Sequence, residues 1–363
     1  MALSVSIAMA TYNGSKFIAE QLGSLANQTI PPSEVIICDD LSTDDTLQTV
    51  AKLRESLPFV VHVHVNQERL GHAANFMKAV SLCTSDVICT CDQDDIWFPT
   101  KIERALTVLE DPDVMLVHHN AIVVRDGAEL GNLHLQPFPA RTERLKWSPW
   151  WNAYGFTLSF RRSITRFSHL WLQTIDAHLD EKRMINPRVE CHDHWLSFIS
   201  SVVGAIVYIH EPLAFYRQHG SNAAGWGGKI TLLRKVGHML ERRGTIYAHC
   251  HRAAAIRTKL LTDASSIATS DIEREQLIEA ADHYANLAEL YNLRAECHLG
   301  SSIFHRASSF FKLVAMAGYR YTGWWTFHPK GLVKDLVLGV VWGKVMRRFG
   351  RTPAGSDPTC SAV

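Results

Sequence analysis

Over the first 120 residues, short β-branched apolar runs alternate with stretches of helical periodicity, and this alternation constrains the fold more than any other feature. The runs Val5 to Ala10, Val35 to Cys38, Val60 to Val65, Val87 to Cys91 and Val114 to His118 read as strands buried on both faces. Between them, Ser15 to Asn27, Thr43 to Leu57, Ala73 to Cys83 and Lys101 to Glu110 read as helices, the first with Phe17, Ile18, Gln21, Leu22 and Leu25 on one stripe. Strand and helix in regular succession predict an α/β class with a mostly parallel, Rossmann-like sheet flanked by helices. At 363 residues the chain can hold one large α/β domain and an appendage.

Charge is unevenly spread behind a formal net of +1. From Lys229 onward there are 19 Lys and Arg against 11 Asp and Glu, so the first 228 residues carry a net −7. An acidic working half excludes nucleic acid as the main partner, because backbone phosphates demand a basic groove. Eight cysteines are scattered without disulfide or zinc spacing and mostly fall in apolar runs, which fits buried thiols in a reducing cytoplasm. The N-terminus does not read as a signal peptide, and no window reaches the roughly 18 apolar residues of a spanning helix.

In open α/β sheets ligands bind beyond the carboxyl ends of the strands, so the polar residues that close each run matter most. Thr11-Tyr12-Asn13-Gly14 follow the first run, Asp39-Asp40 the second and Asp92-Gln93-Asp94-Asp95 the fourth. Three carboxylates within four positions repel one another unless a cation lies among them. A hard divalent ion, Mg2+ or Mn2+, suits such oxygen donors and bridges to a diphosphate. The alternative is a solvated acidic turn capping the helix that starts near Pro99-Thr100-Lys101. Asp39 and Asp40 read either as acceptors for a base or ribose or as members of a helix cap, with Ser42 or Thr43 at the N-cap and Asp44 and Asp45 in the first turn.

Farther on, the pattern weakens from Arg125 to Trp151 into a loop that contains Gln136-Pro137-Phe138-Pro139 and Trp147-Ser148-Pro149-Trp150-Trp151. A strand near Phe156 to Phe160, a helix at His194 to Val203 and a strand at Ala205 to Ile209 are then expected. A Gly-rich linker at 223–228 divides the chain into an α/β part, residues 1–228, and a helical part, residues 229–363. The first part is read as a nucleotide-sugar half, 1–120, and an acceptor half, 121–228.

Taken together, Ala10-Thr11-Tyr12-Asn13-Gly14, Asp39-Asp40-x-Ser42-Thr43-Asp44, Asn66-x4-Gly71-x3-Asn75 and Asp92-Gln93-Asp94-Asp95-Ile96-Trp97 resemble, in the same order, family 2 glycosyltransferases of the GT-A fold. Within the family the closest resemblance is to bacterial rhamnosyltransferase-like members that build polysaccharides, and it covers roughly residues 4 to 225. It implies an inverting, metal-dependent transferase of the hexosyltransferase type. By the same resemblance the sugar, with rhamnose the one it suggests, would pass from a nucleotide-diphosphate donor to a glycan or lipid-linked glycan. By this resemblance Thr11, Tyr12 and Asn13 line the donor site, Asp39 binds the base and Asp40 lies beside it. Asp92 approaches the ribose or the metal, Asp94 is the principal metal ligand of an Asp-x-Asp motif, and Asp95 supports it. Leu41 departs from the pattern, for a small residue is commoner there.

Downstream, Cys191-His192-Asp193-His194-Trp195 resembles the acceptor-side motif, which makes Asp193 the catalytic base with Glu190 in reserve. The competing reading of Asp193 is helix N-capping. Tyr216-Arg217-Gln218-His219-Gly220 implies a metal role for His219 and a phosphate role for Arg217, and Gly155 matches a small residue that lets the backbone approach the donor sugar. His118 and His119 draw no such support, while Trp147, Trp150, Trp151 and Trp226 are acceptor-site candidates or loop packing. Two other functions compete: a sugar nucleotidyltransferase, although Thr11 to Lys16 is poor in the glycines and basic residues that hold a triphosphate, and a non-catalytic glycan-binding subunit.

Between Lys312 and Arg351 there are eight Lys and Arg against one acid, Asp335, interleaved with aromatics. A helix from Leu332 to Phe349 is expected, either peripheral on an anionic membrane surface or packed on the catalytic part or a second subunit of a homo-oligomer.

Overall fold

The computed structural model describes residues 3–134, 138–151, 153–174, 190–220, 243–320 and 323–341. The expected linker at 223–228, Trp226, Gln136-Pro137, Lys344, Arg347 and Arg348 lie outside these residues. Taken over the described residues, the chain forms two compact units, one from positions within 1–178, 188–226 and 262–280, the other from positions within 179–187, 227–261 and 281–363.

The first unit follows the alternation seen in the sequence. Its elements run β1 (Val5–Thr11), α1 (Ile18–Ala26), β2 (Glu34–Asp39), α2 (Thr46–Leu53), β3 (Val60–Val65), α3 (His72–Leu82), β4 (Val87–Asp92), β5 (Ile96–Trp97) and α4 (Lys101–Leu109). Then come β6 (Val114–Arg125), β7 (Ala128–Asn132), β8 (Arg141–Thr142), β9 (Ser159–Arg161), α5 (His192–Val203) and β10 (Ala205–Arg217). The strands join one sheet in the order β3-β2-β1-β4-β9-β6-β10-β5, with β7 on β6 and β8 on β10. β1 pairs in parallel with β2 and β4, and β2 with β3, whereas β9 runs antiparallel between β4 and β6. This is the mostly parallel α/β sheet of the GT-A arrangement.

Chain order reverses between β1 and β4, so their carboxyl ends open into a crevice at a topological switch point. Beneath it Ile7, Met9, Ile18, Leu22, Leu25 and Ile37 are fully buried, each contributing about 1.5–3 kcal/mol on leaving water.

Several boundaries differ from the expectation for identifiable reasons. α1 begins at Ile18 rather than Ser15 because the Gly14 carbonyl first accepts from the Phe17 and Ile18 N–H groups in a turn. Ser42 does not cap α2. Its hydroxyl donates to Asp39 Oδ2 at 2.6 Å and accepts from Asn13 N, while Asp44 Oδ1 accepts Thr46 N at 3.0 Å. β6 continues seven residues past His118 because β10 supplies a ladder partner as far as Arg217. Residues Gly155–Thr157 form a 3-10 turn, and only then does β9 start.

The second unit is mostly helical. It takes α6 (Arg243–Ser265) as far as 261, α7 (Asp271–Leu299) from 281, α8 (Ile303–Ala315) and α9 (Lys330–Lys334), the last continuing as a π turn, Asp335–Val341. Leu290, Leu293, Cys297, Phe310, Leu313, Tyr319, Phe327 and Val340 form its core. Buried among them, Asp335 accepts from Arg294 Nε at 2.6 Å, Tyr319 Oη at 2.9 Å and His298 Nε2 at 3.0 Å. The helix expected from Leu332 to Phe349 is described as far as Val341, and over that length Val333, Val337 and Val341 are exposed. Among the described residues no helix is long and apolar enough to cross a membrane.

Candidate active site

The crevice at the switch point holds a cavity of about 260 Å3. Donor-side residues from the ends of β1, β2 and β4 line it, namely Thr11, Tyr12, Asp40, Asp92, Gln93 and Asp94. Gly155, Phe156, His192, Asp193 and Tyr216 close it from the later part of the unit. Seven of the residues singled out from the sequence thus meet in one place.

The donor-side floor is held by side-chain hydrogen bonds between loops. Gln93 docks on the Tyr12 backbone twice, Nε2 donating to Tyr12 O at 3.0 Å and Oε1 accepting Tyr12 N at 2.9 Å. A Cβ at position 14 would lie 2.2 Å from Gln93 Oε1, so the glycine makes room for this clamp. Asn13, in the left-handed region at φ 49°, accepts Thr43 N through Oδ1 at 2.8 Å and so ties the first loop to the second. Leu41 also adopts a left-handed conformation, φ 64°, which is the physical content of its departure from the family pattern.

Asp39 and Asp40 have separate surroundings. Asp39 is fully buried and accepts from Thr11 Oγ1, Ser42 N and Ser42 Oγ, so it lies beneath the cavity rather than on its wall. Asp40 reaches the wall, where its carboxylate accepts from Leu70 N, Gly71 N, Asn66 Nδ2 and Arg69 Nε. Burial would raise its pKa, but those hydrogen bonds outweigh burial and hold it below the usual carboxylate range. Arg69 then stacks on Tyr12, its guanidinium 3.5 Å from the ring centre.

The acidic loop has the opposite electrostatic character. Burial pushes Asp92 up to about 8, with the charges of Asp94 and Asp193 adding to the rise and Lys101 opposing it. Asp95 is raised well above its ordinary value, first by burial and then by Asp94 and Asp92. Its Oδ1 accepts Arg217 N at 3.1 Å, whereas Oδ2 is buried with no partner. Asp94 Oδ2 lies 2.8 Å from His219 Nε2, and the His219 ring stacks on Phe17 at 4.7 Å. Three clustered carboxyl groups, one buried oxygen unsatisfied and an imidazole beside them form a donor set that fits a hard divalent cation.

On the other wall, Asp193 lies within the first turn of α5 and accepts His194 N at 2.8 Å through Oδ1, and the N-cap of that helix is Cys191, so Asp193 is not the cap. Burial would raise its pKa, but His192, His194 and hydrogen bonds at the helix start bring it below the usual range. Glu190 is fully buried and its backbone N–H donates to Thr174 Oγ1, which places it off the cavity wall. Gly155 packs directly on His192, for a Cβ there would meet His192 Nε2 at 2.5 Å. His192 in turn stacks on Phe76 at 4.1 Å.

Arg217 and His219 line an adjoining depression with Lys16, Phe17 and Glu20 instead of the cavity itself. Arg217 Nη2 is 2.5 Å from Glu20 Oε2, and its guanidinium covers the Phe17 ring. Trp147 and Trp151 contact each other and His118 in an aromatic cluster. His118 and His119 are fully buried in the sheet, and burial holds the His118 ring down at about 3. Sequence reasoning missed Arg69, His72, Tyr154 and Tyr216 on the cavity wall. Position offered a signal for Arg69 and His72, which flank the Gly71 of a quoted motif. Tyr216 opens the quoted Tyr216 to Gly220 motif and Tyr154 precedes Gly155, though neither carried a role of its own.

A parallel sheet with a switch-point crevice, carboxylates closing one strand end and a further carboxylate opposite form the kind of cleft in which open α/β sheets bind ligands. Residues 6–168 match the model of glycosyl transferase family 2, and this segment is a domain of that family. The dTDP-rhamnosyl transferase RfbG of Shigella flexneri is 41% identical over 105 residues, 28% of this chain and 36% of that protein. An uncharacterized glycosyltransferase of Nostoc is 25% identical over 230 residues, 61% of this chain and 66% of its own. The chain therefore spans less than two thirds of the length of either relative. Among solved structures, S. aureus TarS 1–349 in complex with UDP-GlcNAc aligns at a TM-score of 0.49 and 15% identity, over 88% of this chain and 92% of that one.

Proposed function

We propose that the chain is an inverting, divalent-metal-dependent glycosyltransferase that moves a sugar from a nucleotide-diphosphate donor to a glycan or lipid-linked glycan acceptor in polysaccharide biosynthesis. The observation that carries this reading is the placement of Asp193 on the same 260 Å3 cavity as Asp92 and Asp94, with its carboxyl biased to the ionised form while theirs await a cation.

Thr11, Tyr12, Asp40 and Arg69 would hold the nucleoside, with Asp39 and Asn13 supporting that wall from beneath and from the side. Asp94, Asp92 and His219 would hold Mg2+ or Mn2+. When bound, the ion supplies charge that stabilises the departing diphosphate. Gly155 contributes to the wall that would face the donor sugar, and Arg217 would shift from Glu20 toward the diphosphate. Asp193 accepts the proton of the acceptor hydroxyl as that oxygen bonds to the anomeric carbon and the bond to the diphosphate breaks on the opposite face. Exposed valines and the lysines of the C-terminal helices would seat the enzyme on an anionic membrane, where a lipid-linked acceptor resides.

The test is a donor panel, read as nucleoside diphosphate release with and without Mn2+ or Mg2+. The similarity to RfbG makes dTDP-rhamnose the first donor to try. Asp94→Asn should remove metal-stimulated release by at least about 10³-fold, and Asp193→Asn should keep donor binding and lose transfer. Pyrophosphate release from a nucleoside triphosphate would instead establish a nucleotidyltransferase, and glycan binding without donor binding would establish an assembly subunit. Sedimentation with anionic liposomes tests the membrane contact.

A further inference from the structure

Lys101, the first residue of α4, is completely buried beneath the cavity, and nothing in the reaction described above uses it. Its Nζ donates to the Phe156 carbonyl at 2.7 Å and sits 3.4 Å from the centre of the Trp97 ring. Trp97 stands two residues past Asp95, so the contact with its ring attaches Lys101 to the strand that leaves the acidic loop, while burial brings the ammonium down to about 8. A buried ammonium is retained only where the groups around it compensate its lost hydration, and here those groups belong to two separate parts of the cavity. One is the end of the acidic loop, reached through the Trp97 ring. The other is the 3-10 turn Gly155–Thr157, whose first residue forms the wall facing the donor sugar.

That turn is fastened from below at two points. Besides the Lys101 contact, Thr90 Oγ1 donates to the Gly155 carbonyl at 2.5 Å. Its upper side has no slack, for Gly155 lies against His192 and the Phe156 ring stacks on Tyr216 at 4.8 Å. A displacement of the turn would move the sugar wall relative to Asp193, which belongs to the helix that carries His192.

We propose that Lys101 is a positioning residue that couples the acidic loop to the Gly155–Thr157 turn, registering the donor-sugar wall against the carboxylates that hold the diphosphate end of the donor. The inference rests on the transferase reading. It predicts that removing the ammonium disturbs the reacting geometry and leaves nucleoside binding intact.

The experiment compares wild type, Lys101→Met, Thr90→Val and the double variant as full-length protein, using the donor that wild type turns over. Lys101→Met should lower kcat about 10²-fold, the scale of a 1 Å misplacement, while the Kd of the corresponding nucleoside diphosphate changes by no more than about threefold. Thr90→Val, which loosens the same turn without touching charge, should lower kcat about tenfold, and the two effects should combine to less than their product. Hydrogen exchange gives a readout independent of turnover. The amides of Thr157 and Leu158, bonded to Tyr154 O and Gly155 O, should exchange faster in both single variants, with those of β1 unchanged.

A kcat loss that merely tracks the folded fraction, independent multiplicative effects, or unchanged exchange at Thr157 and Leu158 would overturn the coupling role. Should Lys101→Met fail to fold, Thr90→Val with wild-type kcat refutes it alone. A wild-type chain that turns over no donor refutes the transferase reading, and the exchange result then still decides whether Lys101 holds the turn.

Discussion

Asp95 in the α/β unit and Asp335 in the helical unit are the same residue type at nearly the same burial, 1% and 0% exposed, and they carry opposite electrostatics. Burial would raise Asp335, but the His298 hydrogen bond and the Arg294 charge outweigh it and keep the carboxyl below its usual range. Asp95 has one backbone donor, a second oxygen without a partner and two further carboxylates as neighbours, so it is raised well above that range. Burial alone therefore does not define a site. A carboxylate whose partners are complete is a structural clamp, and one left short beside like charges is a candidate member of the proposed cation site.

The largest test of this contrast is stability. Asp335→Ala strands Arg294 without its partner and should destabilise the helical unit by about 3–5 kcal/mol. Asp95→Asn replaces a carboxyl whose neutral form burial already favours, and should change stability by less than about 1 kcal/mol. Chemical denaturation followed by region-resolved hydrogen exchange measures both, and equal effects would erase the distinction.

A divalent cation sharpens it next. Mn2+ at 100 times its Kd should stabilise the α/β unit by about 2.7 kcal/mol, an increment lost in Asp94→Asn and retained in Asp335→Ala.

A separate effect, spread over several pH units, comes from acid. Buried His118 and His192 are held down at about 3, against 6.5 for an ordinary imidazole. The unfolded chain binds their protons first, so the α/β unit should lose stability as pH falls from about 6.5 toward 3, by at most about 1.4 kcal/mol per pH unit for each ring. Asp335, with its depressed pKa, contributes stability that is present above the ordinary carboxylate value of 3.8 and is lost as pH falls below it. Acid titration should accordingly loosen the α/β unit first, and simultaneous loss would contradict the assignment.

The smallest expected change is at Leu41. Asn tolerates the left-handed conformation better, so Leu41→Asn should stabilise the α/β unit by roughly 0.5–1 kcal/mol in thermal denaturation.

Much of the α/β unit was legible because strand and helix periods are local properties. The boundaries of β3 coincide with its apolar run, and α4 starts at the expected Lys101. β6 was read too short because His118, His119 and Asn120 look like a chain leaving the sheet, whereas they are buried in it beside β10. Ser42 resembled an N-cap by composition, yet its hydroxyl is engaged by Asp39, a competition that only the folded loop settles.

By itself the sequence determined the parallel strand succession and the polar residues that end those strands, because side-chain period and the identity of the next residue are written along the chain. Only the tertiary structure decided which of those residues share a surface. It buried Asp39 and left Asp40 on the wall, set His219 against Asp94 across 125 positions, and ran Lys101 beneath the floor to Phe156. Such contacts follow from where the sheet reverses and which loops then meet, and no local pattern encodes that geometry.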